Sequence, residues 1–146
     1  MSCVRILLVD DFEPWRRFLS STLQMRSDWQ VVDQASSGPE ALQKARELEP
    51  DLILLDIGLP AMNGITVARQ IRRLIPKSKI VFLSENLSFD VVREALQVGA
   101  VGYLLKSDEG WQLIAAVQAV VQGNVFISEA ISSQQSIMRD MQVDCT

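Results

Sequence analysis

Four apolar runs in this chain end in side chains suited to acid, metal or phosphoryl chemistry. The stretch ILLVDDFE, Ile6 to Glu13, sets the adjacent carboxylates Asp10 and Asp11 directly behind an apolar run. Two like charges at the lip of a core repel each other and lose hydration, so each tends to take up a proton unless a positive charge sits between them. DLILLD closes on Asp56, KIVFLS on Ser84 and VGYLLK on Lys106. Taken singly, these are ordinary: an acid at a strand end is usually a turn or cap residue, Ser84 reads as an N-cap and Lys106 as a solvated lysine. Taken together they converge on one rim, and the three carboxylates with backbone carbonyls make a hard, all-oxygen site suited to Mg²⁺ with several waters retained. The same set suits phosphoryl transfer onto a carboxylate, which rests on positioning and electrostatics. Asp56 is the natural nucleophile, Lys106 can pair with one phosphoryl oxygen, and Ser84 can donate a hydrogen bond to another.

Those residues need elements that bring them to one place. Ile6 to Val9 reads as a strand buried on both faces, and Trp15, Phe18, Leu19, Thr22 and Leu23 then recur at helical spacing. The alternation continues through QVVDQA, a helix opened by Pro39, DLILLD, a turn at Asn63-Gly64, a helix over Ile65 to Ile75, and KIVFLS. A fourth helix ends at Gly99, a glycine suited to a left-handed cap, and VGYLLK and the Trp111–Gly123 helix complete five β/α pairs. This predicts an α/β, flavodoxin-like (βα)5 doubly wound parallel sheet in the order 2-1-3-4-5. In that topology the crevice lies outside the carboxyl ends of the strands, where all five candidate residues fall.

Composition narrows the function classes. The chain has 146 residues, 48% apolar and 22% charged, with a net charge of -4, so one globular core with no nucleic-acid footprint in this segment is expected. No apolar run is long enough to span a bilayer, and CVRILLVDD is too short and too acidic at its end for a signal core. The two cysteines, Cys3 and Cys145, lie near opposite ends without a metal-binding spacing, which suggests a reducing, cytoplasmic setting. The absence of histidine excludes histidine catalysis, histidine metal ligands and a role as phosphohistidine donor.

VDD after the first strand, LLDIGLPAMNG around Asp56, Ser84, and GYLLKS match in order and spacing the landmarks of one family. From about Arg5 to Gly123 the chain resembles a response-regulator receiver domain. The resemblance implies that Asp56 accepts phosphate from a sensor histidine kinase, and that Mg²⁺ is held by Asp11, Asp56 and the Gly58 carbonyl. Asp10 would then hold the metal through water or steady its ligands. It also implies that Ser84 and Tyr103 form a switch pair whose side chains move inward together, reshaping the face built by helix four, strand five and helix five. GAVGYLLKSDEGWQLIAAVQAVVQGNVFIS is similar to receivers that precede a LuxR-type, or NarL-type, DNA-binding output domain. The expected division is a receiver over 1–127 and a polar segment over 128–146, either a linker helix or a loose tail. An output domain beyond the chain and a homodimer formed on phosphorylation are the further partners implied; no membrane partner is.

Three departures from the family pattern matter. Glu85 stands where receivers usually have a small residue, an expected obstruction of the phosphoryl site. Gly58 removes a side chain that could screen an acyl phosphate from water. Ser107 follows Lys106 where many receivers have proline, so the usual cis peptide is not expected. Glu85 also supports an alternative, a receiver-like interaction module with weak or no phosphorylation. An aspartyl phosphatase would need Asp-x-Asp after the first strand, and a flavin carrier would find DDFEP repelling its phosphate.

Overall fold

The computed structural model describes residues 3–85, 88–106 and 110–128, leaving aside the side chains of residues 110 and 111. Strands and helices alternate: β1 (Val4–Val9), α1 (Glu13–Leu23), β2 (Trp29–Ala35), α2 (Gly38–Leu48), β3 (Leu52–Asp56), α3 (Gly64–Leu74), β4 (Lys79–Ser84), α4 (Phe89–Val98), β5 (Gly102–Leu105), α5 (Gly110–Val121) and β6 (Phe126–Ile127). All strands pair in parallel, in the order β2-β1-β3-β4-β5-β6. The expected 2-1-3-4-5 sheet is present, and β6 extends it by one short strand beyond β5. Val32 is the extra residue of a bulge in β2, where the β1 register jumps from Ile6↔Val31 to Leu7↔Asp33.

Strand periodicity explains the layers. Leu7, Val9, Ile53, Leu55, Ile80, Phe82 and Tyr103 face a core covered by α2, α3 and α4. Their neighbours Ile6, Leu8, Leu52, Leu54, Val81, Leu83 and Leu104 face the opposite core, under α1 and α5. Both faces are covered, so the strands read as continuous apolar runs rather than as alternations. The period of two runs past the strand ends and decides where the functional side chains emerge. Asp10, Asp56 and Lys106 fall in phase with the α1/α5 side, whereas Ser84 and Tyr103 fall in phase with the α2/α3/α4 side.

Local signals set the element ends. Ser37 Oγ accepts from the Glu40 amide while the Glu40 carboxylate accepts from the Ser36 amide, closing α2's first turn reciprocally. The Asn63 and Ser88 side chains cap α3 and α4. Gly99, at φ 105°, ends α4 in the left-handed conformation expected of it. Gly64 is required sterically: a Cβ there would lie 2.4 Å from the Asp56 carbonyl oxygen. That close approach, with the Gly64 amide donating to Ile57 O, seats α3 against the end of β3.

Beyond α5 the chain turns at Gly123 (φ 94°) and lays β6 beside β5. The Ser128 amide donates to Tyr103 O, and Ser128 Oγ accepts from the Leu105 amide. Ser128 is fully buried, so the fold reaches one residue past the expected 127/128 division. Residues 129–146 of the expected polar segment, Cys145 among them, lie outside the described residues, as do Ser107 and the side chain of Trp111.

Candidate functional site

The carboxyl rim of the sheet assembles the site. The Asp10 amide donates to Ala35 O at 3.0 Å and the Lys106 amide to Ser84 O at 2.7 Å, so both residues prolong their strands' ladders. Arg16, in the first turn of α1, anchors the β1 end: its Nη1 donates to Asp10 O and its Nε to Gln34 Oε1. Asp10 Oδ1 accepts from the Phe12 amide at 2.9 Å. Phe12 occupies the N-cap of α1 with no side-chain cap bond, so the aspartate pair does not serve as that helix's cap.

The positive group demanded by the paired acids is Lys106. Its Nζ lies 2.5 Å from Asp10 Oδ2 and 3.3 Å from Asp56 Oδ2, bridging β1 and β3 from β5. Asp10 is fully buried and the Asp56 and Lys106 side chains nearly so, while Asp11 is exposed. Burial works against the Lys106 ammonium, but the two carboxylates outweigh it and raise its pKa above the ordinary 10.5. For Asp56 the balance falls the other way. Burial, together with the Asp10 charge, raises its pKa above the ordinary value despite the Gly58 amide, which donates to Oδ1 at 2.9 Å, and despite Lys106.

A pocket of about 470 Å³ opens over this cluster, lined by Asp11, Phe12, Asp56, Ile57, Gly58, Ser84, Glu85 and Lys106. Six of these are residues singled out in the sequence: Asp11, Asp56, Gly58, Ser84, Glu85 and Lys106. Glu85 is exposed on the pocket wall. The carboxylates of Asp10, Asp11 and Asp56 each offer an oxygen within 4.8 Å of the others. The donor set fits a small hard cation: three carboxylates converge, and at position 58 a glycine leaves the approach beside Asp56 free of a side chain.

Tyr103 does not line that pocket. It is fully buried, its ring tilted against Phe82 with centroids 6.5 Å apart. Burial pushes its hydroxyl pKa up, with the Ser84 side chain partly opposing this. The Tyr103 hydroxyl completes no hydrogen bond of normal geometry among the described residues. The Tyr103 ring of the candidate switch pair therefore already stands inward, while Ser84 lines the pocket over Asp56. Because the phenyl ring keeps its packing against Phe82, Tyr103→Phe is expected to change unfolding stability by less than about 1 kcal/mol in urea titrations.

The sequence reading passed over part of the site's wall. Phe12 is 62% exposed beside the acids, and the Trp15 ring lies 6.0 Å from Lys106 Nζ. Trp15 stacks on Phe18 at 5.1 Å, which holds its ring. For Phe12 the available signal is an aromatic directly after the acid pair; Trp15, most simply a packing residue by its helical spacing, stands near the acidic pocket as its place after that pair implies.

Comparisons with known proteins identify the family of the chain. Residues 6–118 match the family described as the response regulator receiver domain. The transcriptional regulatory protein LnrK of Bacillus subtilis is 35% identical over 131 residues, covering 90% of this chain and 60% of that protein. The response regulator protein VraR of Staphylococcus aureus is 35% identical over 137 residues, covering 93% and 66%. The chain thus spans about 60–66% of the length of these relatives. A LuxR-family two-component response regulator from Aurantimonas superposes with a TM-score of 0.90 at 30% identity, covering 94% of this chain and 99% of that one. The signal receiver domain of a NarL response regulator from Mycobacterium tuberculosis gives 0.80 at 30% identity, covering 85% and 100%. The aspartates bridged by a lysine at the rim of this sheet thus sit in a chain that belongs to the response-regulator receiver family, among relatives of the LuxR/NarL type.

Proposed function

We propose that the chain is a phosphorylation-dependent signalling switch in which Asp56 takes a phosphoryl group from a sensor histidine kinase. One observation carries the reading: Lys106 Nζ joins Asp56 to Asp10 at the floor of a pocket whose wall includes Ser84. Asp56 presents the attacking oxygen, the Gly58 amide and Lys106 orient its carboxylate, and Ser84 is placed to donate to the incoming group. Asp11, Asp56 and the Gly58 carbonyl would hold Mg²⁺, with Asp10 steadying the set. When bound, the ion supplies charge neutralisation between the carboxylate and the phosphoryl oxygens. Treatment with a phosphodonor and Mg²⁺, read by intact-protein mass against an Asp56→Asn control, tests the proposal. No mass gain with any donor would sink it.

The output of this switch is the face made by α4, β5 and α5. Ser84 leads into α4, and Tyr103 lies on β5 within the core that α4 covers. A new charge at Asp56 that draws the Ser84 hydroxyl would act on that face. A DNA-binding output domain beyond this segment, a homodimer formed on phosphorylation and a cytoplasmic location complete the reading. The LuxR/NarL-type relatives support it, and among the described residues no helix is long and apolar enough to cross a membrane. The kinase enzyme is the partner's; this chain at most promotes its own phosphotransfer and dephosphorylation.

Metal binding has its own readout. Mg²⁺ is expected to change the fluorescence of Trp15, whose ring adjoins Lys106. The response should disappear in both Asp11→Ala and Trp15→Phe; a response surviving in Asp11→Ala would place the ion elsewhere.

A second reading keeps the fold as an interaction module that is seldom phosphorylated. Glu85 on the pocket wall favours it. Partner binding that is unchanged by Asp56→Asn would carry it.

A further inference from the structure

The pocket over Asp56 continues outward into a second compartment. That compartment, about 320 Å³, is lined by Phe12, Trp15, Glu85 and Lys106. Phe12, Glu85 and Lys106 belong to both walls, whereas Asp56, Gly58 and Ser84 line only the inner one. The second space is therefore bounded by two aromatic side chains and an exposed carboxylate, and it adjoins the pocket that Asp56 lines. Lys106 shares the wall, but its ammonium is engaged with Asp10 and Asp56.

We propose that this compartment receives the leaving group of the phosphodonor, and that Glu85 selects donors by the charge of that group. Phosphorylated nitrogen compounds, which release a neutral base, are favoured over acyl phosphates, which release a carboxylate. The inference rests on Asp56 being the phosphoacceptor. In an in-line transfer the incoming and departing atoms lie on opposite sides of phosphorus. Asp56 attacks from the inner pocket, so the departing atom faces the compartment that Asp56 does not line.

With an N-phosphoimidazole donor, a lone pair of the Asp56 carboxylate forms the O–P bond as the P–N bond breaks. The electron pair of that bond returns to the ring nitrogen. The other ring nitrogen already carries a proton, so neutral imidazole leaves and no further proton moves. Before transfer that protonated ring is cationic, which Glu85 attracts, and its plane and charge suit the faces of Phe12 and Trp15. With an acyl phosphate, the P–O bond breaks and its pair stays on a carboxylate oxygen. The developing anion then faces Glu85, and like charges in one cleft repel. Glu85 thereby becomes a selector of donors rather than an obstruction to all of them.

The test compares rates of Asp56 phosphorylation by N-phosphoimidazole and by acetyl phosphate, with Mg²⁺ present and intact-protein mass as readout. Wild type, Glu85→Gln and Glu85→Ala are measured side by side; position 85 is exposed, and the Gln variant preserves its shape. The ratio of nitrogen-donor rate to acyl-donor rate is expected to fall about fivefold in both variants, mainly through faster acetyl phosphate. An exposed charge a few ångströms away has an effect of about that size, and it is screened by salt. The wild-type ratio should accordingly shrink toward the variants' value in concentrated salt. A ratio that stays the same or rises on substitution, while Asp56 is still phosphorylated, overturns the selector and leaves the phosphoacceptor standing. Phosphorylation by neither donor overturns both.

Discussion

Lys106→Met is expected to lower folding stability at neutral pH by about 3 kcal/mol, because it removes the cation from between two buried carboxylates. Asp10 is wholly inaccessible and Asp56 almost so, and water cannot take over the role of the ammonium that lies 2.5 Å and 3.3 Å from them. The pH dependence follows from linkage. Lys106 has a raised pKa in the folded state, so its contribution is complete below the ordinary lysine value of 10.5 and is lost as pH climbs through the raised value. The gap between wild type and variant should therefore persist from neutrality to mild alkali and close in strong alkali. On the acid side it narrows as the orphaned carboxylates take up protons. Urea denaturation across this range is the measurement. Phosphorylation by small-molecule donors should also fall by about a hundredfold, the usual scale for loss of one preorganised charge at a transferring group.

Asp56→Asn should abolish phosphorylation with every donor and yet make the protein without bound metal more stable. Folding raises the pKa of Asp56, first through burial and then through the Asp10 charge. A carboxyl whose folded pKa is raised contributes its full share of stability below its unfolded value, about 3.9, and loses it as pH rises through the folded value. At neutral pH the ionised group is thus a net cost, and the neutral amide removes it. A gain of about 1 kcal/mol is expected near neutrality, shrinking toward pH 3 where the native side chain is itself protonated. The two substitutions act on one ion cluster, so Lys106→Met combined with Asp56→Asn should cost clearly less than the sum of the two single effects, about 2 kcal/mol. Additive behaviour would show that the lysine and the two aspartates do not act as a unit.

Much of this site was legible because it lies at the ends of strands. Continuous apolar runs announced a sheet covered on both faces, and the last residue of each run named what that strand delivers to the rim. Asp10, Asp56 and Lys106 followed from that logic. The phase of the alternation, which sends Ser84 and Tyr103 to the opposite face, needed the observed register. Tyr103 entered the sequence reading only through family resemblance, and its ring proved to be fully buried against Phe82. β6 escaped notice because two residues after a glycine turn carry no periodicity. Phe12 escaped for another reason: an exposed aromatic acquires meaning only once a neighbouring wall, here Glu85 and Lys106, encloses space beside it.

The short sixth strand also fixes a point of departure. β6 runs parallel to β5 and ends at Ile127, so Ser128 lies toward the same rim that holds the acids. Three strand spacings separate β3 from β6, about 14 Å across the sheet. Whatever follows Ser128 therefore begins within that distance of β3, whose end carries the proposed phosphoacceptor Asp56. Its anchor is a pair of hydrogen bonds to the backbone of β5. On the proposed reading of Asp56, the length and charge of whatever begins at that anchor become variables in how long a phosphoryl group there survives.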